Sequence, residues 1–124
     1  KSKARKVIIT SGKVYYDLLE YRTDYHIHDI ALIRLEQYYP FPADHLIKML
    51  KAYDPVPLVW CQEEPKNMGA WHFVDRRLED CLTKVHCKLV RPLYVGRPEA
   101  AAPATGYAPI HQIEQTALIK QAFS

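Results

Sequence analysis

Four short apolar runs rich in β-branched residues punctuate the chain: Lys6–Thr10 (KVIIT), Ile30–Leu35 (IALIRL), Leu58–Gln62 (LVWCQ) and Leu89–Val95 (LVRPLYV). They are near-continuous rather than alternating, as expected of strands covered on both faces. Between them, apolar positions recur at steps of three and four, the pattern of helices with one buried stripe. Lys13–Tyr25 sets Val14, Leu18 and Tyr21 on such a stripe, and Ala43–Tyr53 does the same with Leu46, Ile47, Met49, Leu50 and Tyr53. Ala70–Val85 is the clearest, with Phe73, Val74, Leu78, Cys81, Leu82 and Val85 in step, and Ile110–Phe123 closes the series. The breakers agree: Pro40 and Pro42 precede a helix, Asp54-Pro55 follows it, and Pro65 breaks the third strand.

Strand–helix alternation through four units predicts an α/β fold, three α/β/α layers around a mostly parallel sheet. Right-handed crossovers then bring every strand-to-helix turn to one edge. Residues 94–109 (YVGRPEAAAPATGYAP) carry no period and read as a long ordered surface loop. The chain of 124 residues is one domain's worth, and such a length buries roughly two-thirds of its unfolded surface. Residues 6–124 are assigned to that domain and residues 1–5 to a basic leader. No apolar run approaches the ~18 residues that span a bilayer, so no membrane partner is expected. The start shows neither an initiator Met nor a signal-peptide pattern, and the expectation is a piece of something larger.

The net charge of +3 is local, because residues 1–25 hold six Lys/Arg against three acids. KSKARK could be a nucleic-acid arm, but no aromatics interleave with it, so a solvated leader is favoured and no nucleic-acid partner is expected. Cys61, Cys81 and Cys87 show no paired metal spacing. The first two fall on apolar faces, where free thiols act as small hydrophobes, and a reducing compartment follows.

Three turns share the predicted edge: Ser11-Gly12-Lys13, Glu36-Gln37 and Gln62-Glu63-Glu64. Ligands of open α/β sheets collect at this carboxyl edge. TSGKV lacks both the upstream glycine and the following Ser/Thr of a phosphate-binding loop, which excludes a nucleoside-triphosphatase. Ser11 is expected to cap the following helix, and that helix start with Lys13 could attract an anion. Glu63 and Glu64 could be an acid/base pair, yet neighbours on a strand point to opposite faces. One capping or pairing and the other facing a partner is the commoner outcome. His26-Ile27-His28-Asp29 has alternating spacing without a further ligand pair, so a solvated loop is favoured over a metal site. No nucleophile is followed by a recognisable base. Trp60, Trp71, Tyr38, Tyr39 and Phe41 crowd the same edge and suit either core or interface.

SGKVYYDLL, ALIRLEQYYPFP, VWCQEEPKNMGAW and YVGRPEAAAPATG, in this order, resemble the C-terminal domain of the decarboxylating first component of 2-oxoglutarate dehydrogenase. The resemblance covers Lys6 to Phe123, and the basic leader and HIHD connection stand apart from it. It implies a transketolase C-terminal-domain-like fold within a thiamine-diphosphate-dependent enzyme. Thiamine diphosphate and magnesium would be bound by earlier domains, with no cofactor, metal or catalytic residue in this stretch. The parent would decarboxylate 2-oxoglutarate and pass the succinyl group to the lipoyl arm of the second component. It would be a homodimer in the bacterial cytoplasm, or alternatively the mitochondrial matrix. Gln62, Glu63, Asn67 and Trp71 are the residues expected to meet neighbouring domains and the dimer mate. Lys13 and Arg34 are the expected anion binders of an acyl-CoA-type regulator. The alternative is a free-standing nucleotide- or anion-binding α/β module.

Overall fold

A computed structural model of the chain describes residues 3–85, 89–101 and 108–124. Strands and helices alternate as β1 (Lys6–Thr10), α1 (Val14–Asp24), β2 (Ile30–Arg34), α2 (Ala43–Leu50), β3 (Leu58–Pro65), α3 (Trp71–Val85), β4 (Leu93–Arg97) and α4 (Ala108–Phe123). The strands form one sheet in the order β2-β1-β3-β4, and every pairing is parallel. β1 is central: Ile8 stands in register with Leu32 on one side and Val59 on the other. This is why its apolar run does not alternate, since both faces are covered.

The two faces separate by parity. Val7 and Ile9 join Leu58, Trp60 and Ile33 in a core closed by α2 and α3, through Leu46, Leu50, Trp71, Val74, Leu78 and Leu82. Ile8 joins Val59, Cys61 and Val95 beneath α1 and α4, through Val14, Leu18, Leu118, Ala122 and Phe123. The expected three-layer α/β/α arrangement is therefore present. Cys61 and Cys81 are free and buried, whereas Cys87, the PATG segment and the first two leader residues lie outside the described residues.

Three differences from expectation bear on the carboxyl edge. β3 continues past Gln62 to Pro65, with a register irregularity between Cys61 and Pro65 before Pro65 aligns with Arg97. Proline lacks an N–H and therefore ends this strand rather than breaking it earlier; the next residue restores the bonding, Lys66 N–H donating to the Arg97 carbonyl at 3.1 Å. β4 starts at Leu93 because Leu89 takes a positive φ of 55° and Pro92 precedes the pairing. It runs to Arg97, so Gly96 and Arg97, expected only in a loop, are strand. Finally, Ser11 does not cap α1. The cap position belongs to Lys13, without a side-chain hydrogen bond, because the left-handed Gly12 (φ +80°) separates Ser11 from the helix start.

Candidate functional site at the carboxyl edge

The chain leaves β1 by α1 on one face of the sheet and leaves β3 by α3 on the other. The turns after these adjacent strands therefore diverge, which opens a crevice at the carboxyl edge. A cleft of ≈330 Å³ occupies this place, lined by Ser11 and Gly12 from the first turn, Trp60, Gln62 and Glu64 from β3, and Phe73 from α3. Tyr38 also lines it, its ring edge-on to Phe73 at 5.9 Å.

One buried carboxamide organises the rim. Gln62 is 2% exposed. Its Oε1 accepts from the Trp60 indole N–H at 2.9 Å and from the Trp71 backbone N–H at 3.1 Å. Its Nε2 donates to the carbonyls of Pro65 (2.9 Å), Met68 (2.9 Å) and Glu64 (3.1 Å). Both halves of the amide are engaged, so the whole β3–α3 turn is tied to one side chain. Gly69 lies against it with φ +66°, and a Cβ there would meet both Gln62 amide atoms at 3.2 Å.

A second buried group fixes the other end of the rim. Arg97 is 5% exposed on β4. Its Nη1 donates to the Glu63 carbonyl, and its Nη2 donates to Gln115 Oε1 at 3.0 Å on α4. Gln115 in turn donates to Asp17 Oδ2 on α1 at 3.1 Å. A guanidinium without such partners would be costly to bury; these bonds join β3, β4, α4 and α1 around one charge. Gly96 precedes it because a Cβ there would sit 2.7 Å from the Gln62 carbonyl. Tyr94 donates to the Arg97 carbonyl at 2.6 Å, and burial pushes its phenol up to about 12. Burial likewise pushes the Cys61 thiol up to about 12, with Glu63 adding to the effect, so this cysteine stays protonated.

The four expected contact residues converge on this one turn, but they do different things. Gln62 and Trp71 face inward, Trp71 packing its ring 5.4 Å from Tyr94. Asn67 clasps the backbone of Ala100, donating at 2.9 Å and accepting at 3.0 Å. Glu63 is partly buried and meets Lys13 at 3.7 Å. Of the two expected anion binders, Lys13 is thus paired with Glu63. Arg34 pairs with Glu36 at 3.2 Å and lies over the Tyr15 and Tyr16 rings at 5.5 and 5.2 Å. The aromatics divide as well: Trp60 and Trp71 are core, whereas Tyr39 stands 87% exposed beside Tyr38.

Sequence reading missed Arg97 altogether. Its one signal was an arginine ending an apolar run just after a glycine, and in sequence that looks like a solvated loop residue. The donor set does not fit a magnesium diphosphate, since no group of three or more His, Cys, Asp or Glu converges among the described residues.

Comparison with known proteins adds the family. A model described as 2-oxoglutarate dehydrogenase C-terminal matches residues 1–123. Proteins named 2-oxoglutarate dehydrogenase E1 component from Brucella anthropi, Brucella ovis and Brucella canis are each 50% identical over 121 residues, 98% of this chain. The chain spans 12% of the length of these relatives. With the parallel sheet and the motifs at its carboxyl edge in agreement, the chain belongs to the 2-oxoglutarate dehydrogenase C-terminal family.

Proposed function

We propose that this chain is the C-terminal domain of a 2-oxoglutarate-decarboxylating enzyme, with residues 6–124 as the domain and 1–5 as its basic leader. The parent enzyme oxidatively decarboxylates 2-oxoglutarate in the bacterial cytoplasm. It passes the succinyl group to the lipoyl-bearing second component and uses thiamine diphosphate and magnesium held by its other domains. The observation that carries this reading is the family match across residues 1–123. The domain's own role is to present a rigid carboxyl edge to those domains and to the dimer mate. The edge suits that role because Gln62 and Arg97 lock the turn after β3 from inside, with Glu64 exposed on it, while Glu36, Tyr38 and Tyr39 stand exposed on the neighbouring turn after β2. Rigid exposed aromatics are the usual anchors of such interfaces.

The same edge offers a place for a regulator. Lys13 and Arg34 flank the crevice, Arg34 in register with Thr10 across β1 and β2. Their carboxylate partners are exposed or partly so, and an anion could displace such weak pairs.

The test uses the chain alone and the full-length enzyme. The chain alone, given 2-oxoglutarate, thiamine diphosphate, magnesium and an artificial electron acceptor, should show no turnover. Tyr39→Ala in the full-length enzyme should weaken dimerisation or activity without lowering the melting temperature of the chain alone. Turnover by the chain alone would refute the reading. So would full retention of assembly and activity when Tyr38 and Tyr39 are both replaced.

A further inference from the structure

The amino edge of the sheet carries a feature that the assembly role does not use. α1 ends in a turn whose second residue is His26, with a left-handed φ of 53°. Its N–H donates to the Thr23 carbonyl at 3.2 Å, and the next N–H, of Ile27, donates to the Arg22 carbonyl at 3.0 Å. Glycine is the residue that ordinarily fills this position, because it has no Cβ to strain.

His26 borders a hollow of ≈430 Å³ that Arg22 and His28 also line. An adjoining hollow of ≈270 Å³ shares Arg22, His28 and Ile30 with it, and adds Lys3 from the leader and the ring of Tyr53. Residues of the leader and of the α1–β2 connection therefore meet at one place. Among the described residues no carboxylate lines either hollow. Of the carboxylates adjacent in sequence to lining residues, Asp29 is engaged by Arg5 at 2.8 Å and Asp54 also has a partner. Arg22 donates from one nitrogen to the Ile30 carbonyl at 3.3 Å and has no carboxylate partner among the described residues. A guanidinium has five N–H donors, so most of its capacity is unused.

We propose that this hollow is a binding site for a small phosphate-bearing ligand. Arg22, His26, His28 and Lys3 hold the phosphate, and Ile30 and Tyr53 provide an apolar and aromatic wall for the rest of the molecule. Phosphate suits the set because a guanidinium and imidazole N–H groups donate charge-assisted bonds to its several oxygens. A divalent cation does not, since among the described residues two histidines are the only metal-type ligands lining the hollow. The site lies at the edge opposite Lys13 and Arg34, and it stands or falls independently of their role.

The competing explanation is that Arg22 merely complements the carboxyl end of α1, as a last-turn cation does. A titration of the chain with inorganic pyrophosphate at fixed ionic strength, followed by amide and side-chain NMR, separates the two. Saturable shifts are expected at Lys3, Arg22, His26 and His28. His26→Gly and Arg22→Gln should each weaken binding about tenfold, the loss of one charge-assisted bond. His26→Gly should melt no lower than the parent chain, which excludes unfolding as the cause. Lys13→Ala should leave the shifts at Lys3, Arg22, His26 and His28 unchanged, whatever it alters at its own edge. Absence of saturable shifts, equal affinity in His26→Gly, or shifts abolished by Lys13→Ala would overturn the proposal. Tighter binding of a single-stranded oligonucleotide or of anionic phospholipid vesicles than of pyrophosphate would overturn it too.

Discussion

Replacing Gln62 by methionine keeps the length of the side chain and removes all its polar atoms. That carboxamide accepts two hydrogen bonds, and its two amide hydrogens are shared among three carbonyls. A neutral bond contributes about 1 kcal/mol net, but a buried partner left without one costs about 1–3 kcal/mol. The Trp71 N–H and Trp60 indole N–H belong to residues 6% and 1% exposed, so water cannot readily replace the lost acceptor there. The carbonyls of Glu64 and Met68 are nearer the surface and can be hydrated. Counting the two indispensable donors and discounting the carbonyls gives a loss of about 3–5 kcal/mol. Against a total of roughly 5–15 kcal/mol for such a domain this is severe. Urea unfolding followed by far-UV circular dichroism should show it as a lowered midpoint at unchanged slope. A thermal melt should shift down by more than about 10 °C. A loss below about 1 kcal/mol would mean that the turn does not depend on this amide, and the idea of a rim locked from inside would fail.

Other consequences are as direct. Gly69→Ala places a Cβ at 3.2 Å from the Gln62 amide atoms in a backbone held at φ +66°; a loss of about 1–3 kcal/mol is expected by urea titration. Lys13→Ala should change stability by less than about 1 kcal/mol, because the side chain is 80% exposed and its pair with Glu63 spans 3.7 Å. Cys61 should resist iodoacetamide at pH 8 until the chain unfolds, since its thiol is pushed up to about 12 by burial. The same shift fixes the pH response. Above the ordinary thiol range the unfolded chain gives up a proton that the folded chain keeps. Stability is therefore full below that range and falls as pH rises toward 12, with Tyr94 adding to the fall in the same direction. Urea midpoints at pH 8 and pH 11 would check the sign.

Much of the architecture was legible in the chain. β1 emerges with the boundaries expected from KVIIT, and α3 begins within one residue of its expected start. Doubly covered strands and one-sided helices impose period-free and 3.6-residue patterns that need no tertiary knowledge. The carboxyl-edge turns followed from alternation alone. The end of β3 did not, because a proline in sequence signals a break, and only pairing with Arg97 shows that the strand runs on to reach it.

What each polar residue does was decided by the fold. Gln62, Glu63, Asn67 and Trp71 stand within ten residues of one another, and the sequence alone determined that they gather at one turn. Whether they face outward or inward depended on which face of the sheet α3 covers, a choice local pattern does not encode. Arg97 and Gln115 are 18 positions apart, and Gln115 and Asp17 are 98 apart. Their network exists only because the sheet brings β4 beside β3 while α4 packs next to α1. Short-range periodicity fixes elements; burial of a charge needs partners from distant segments, and only the closed structure supplies them.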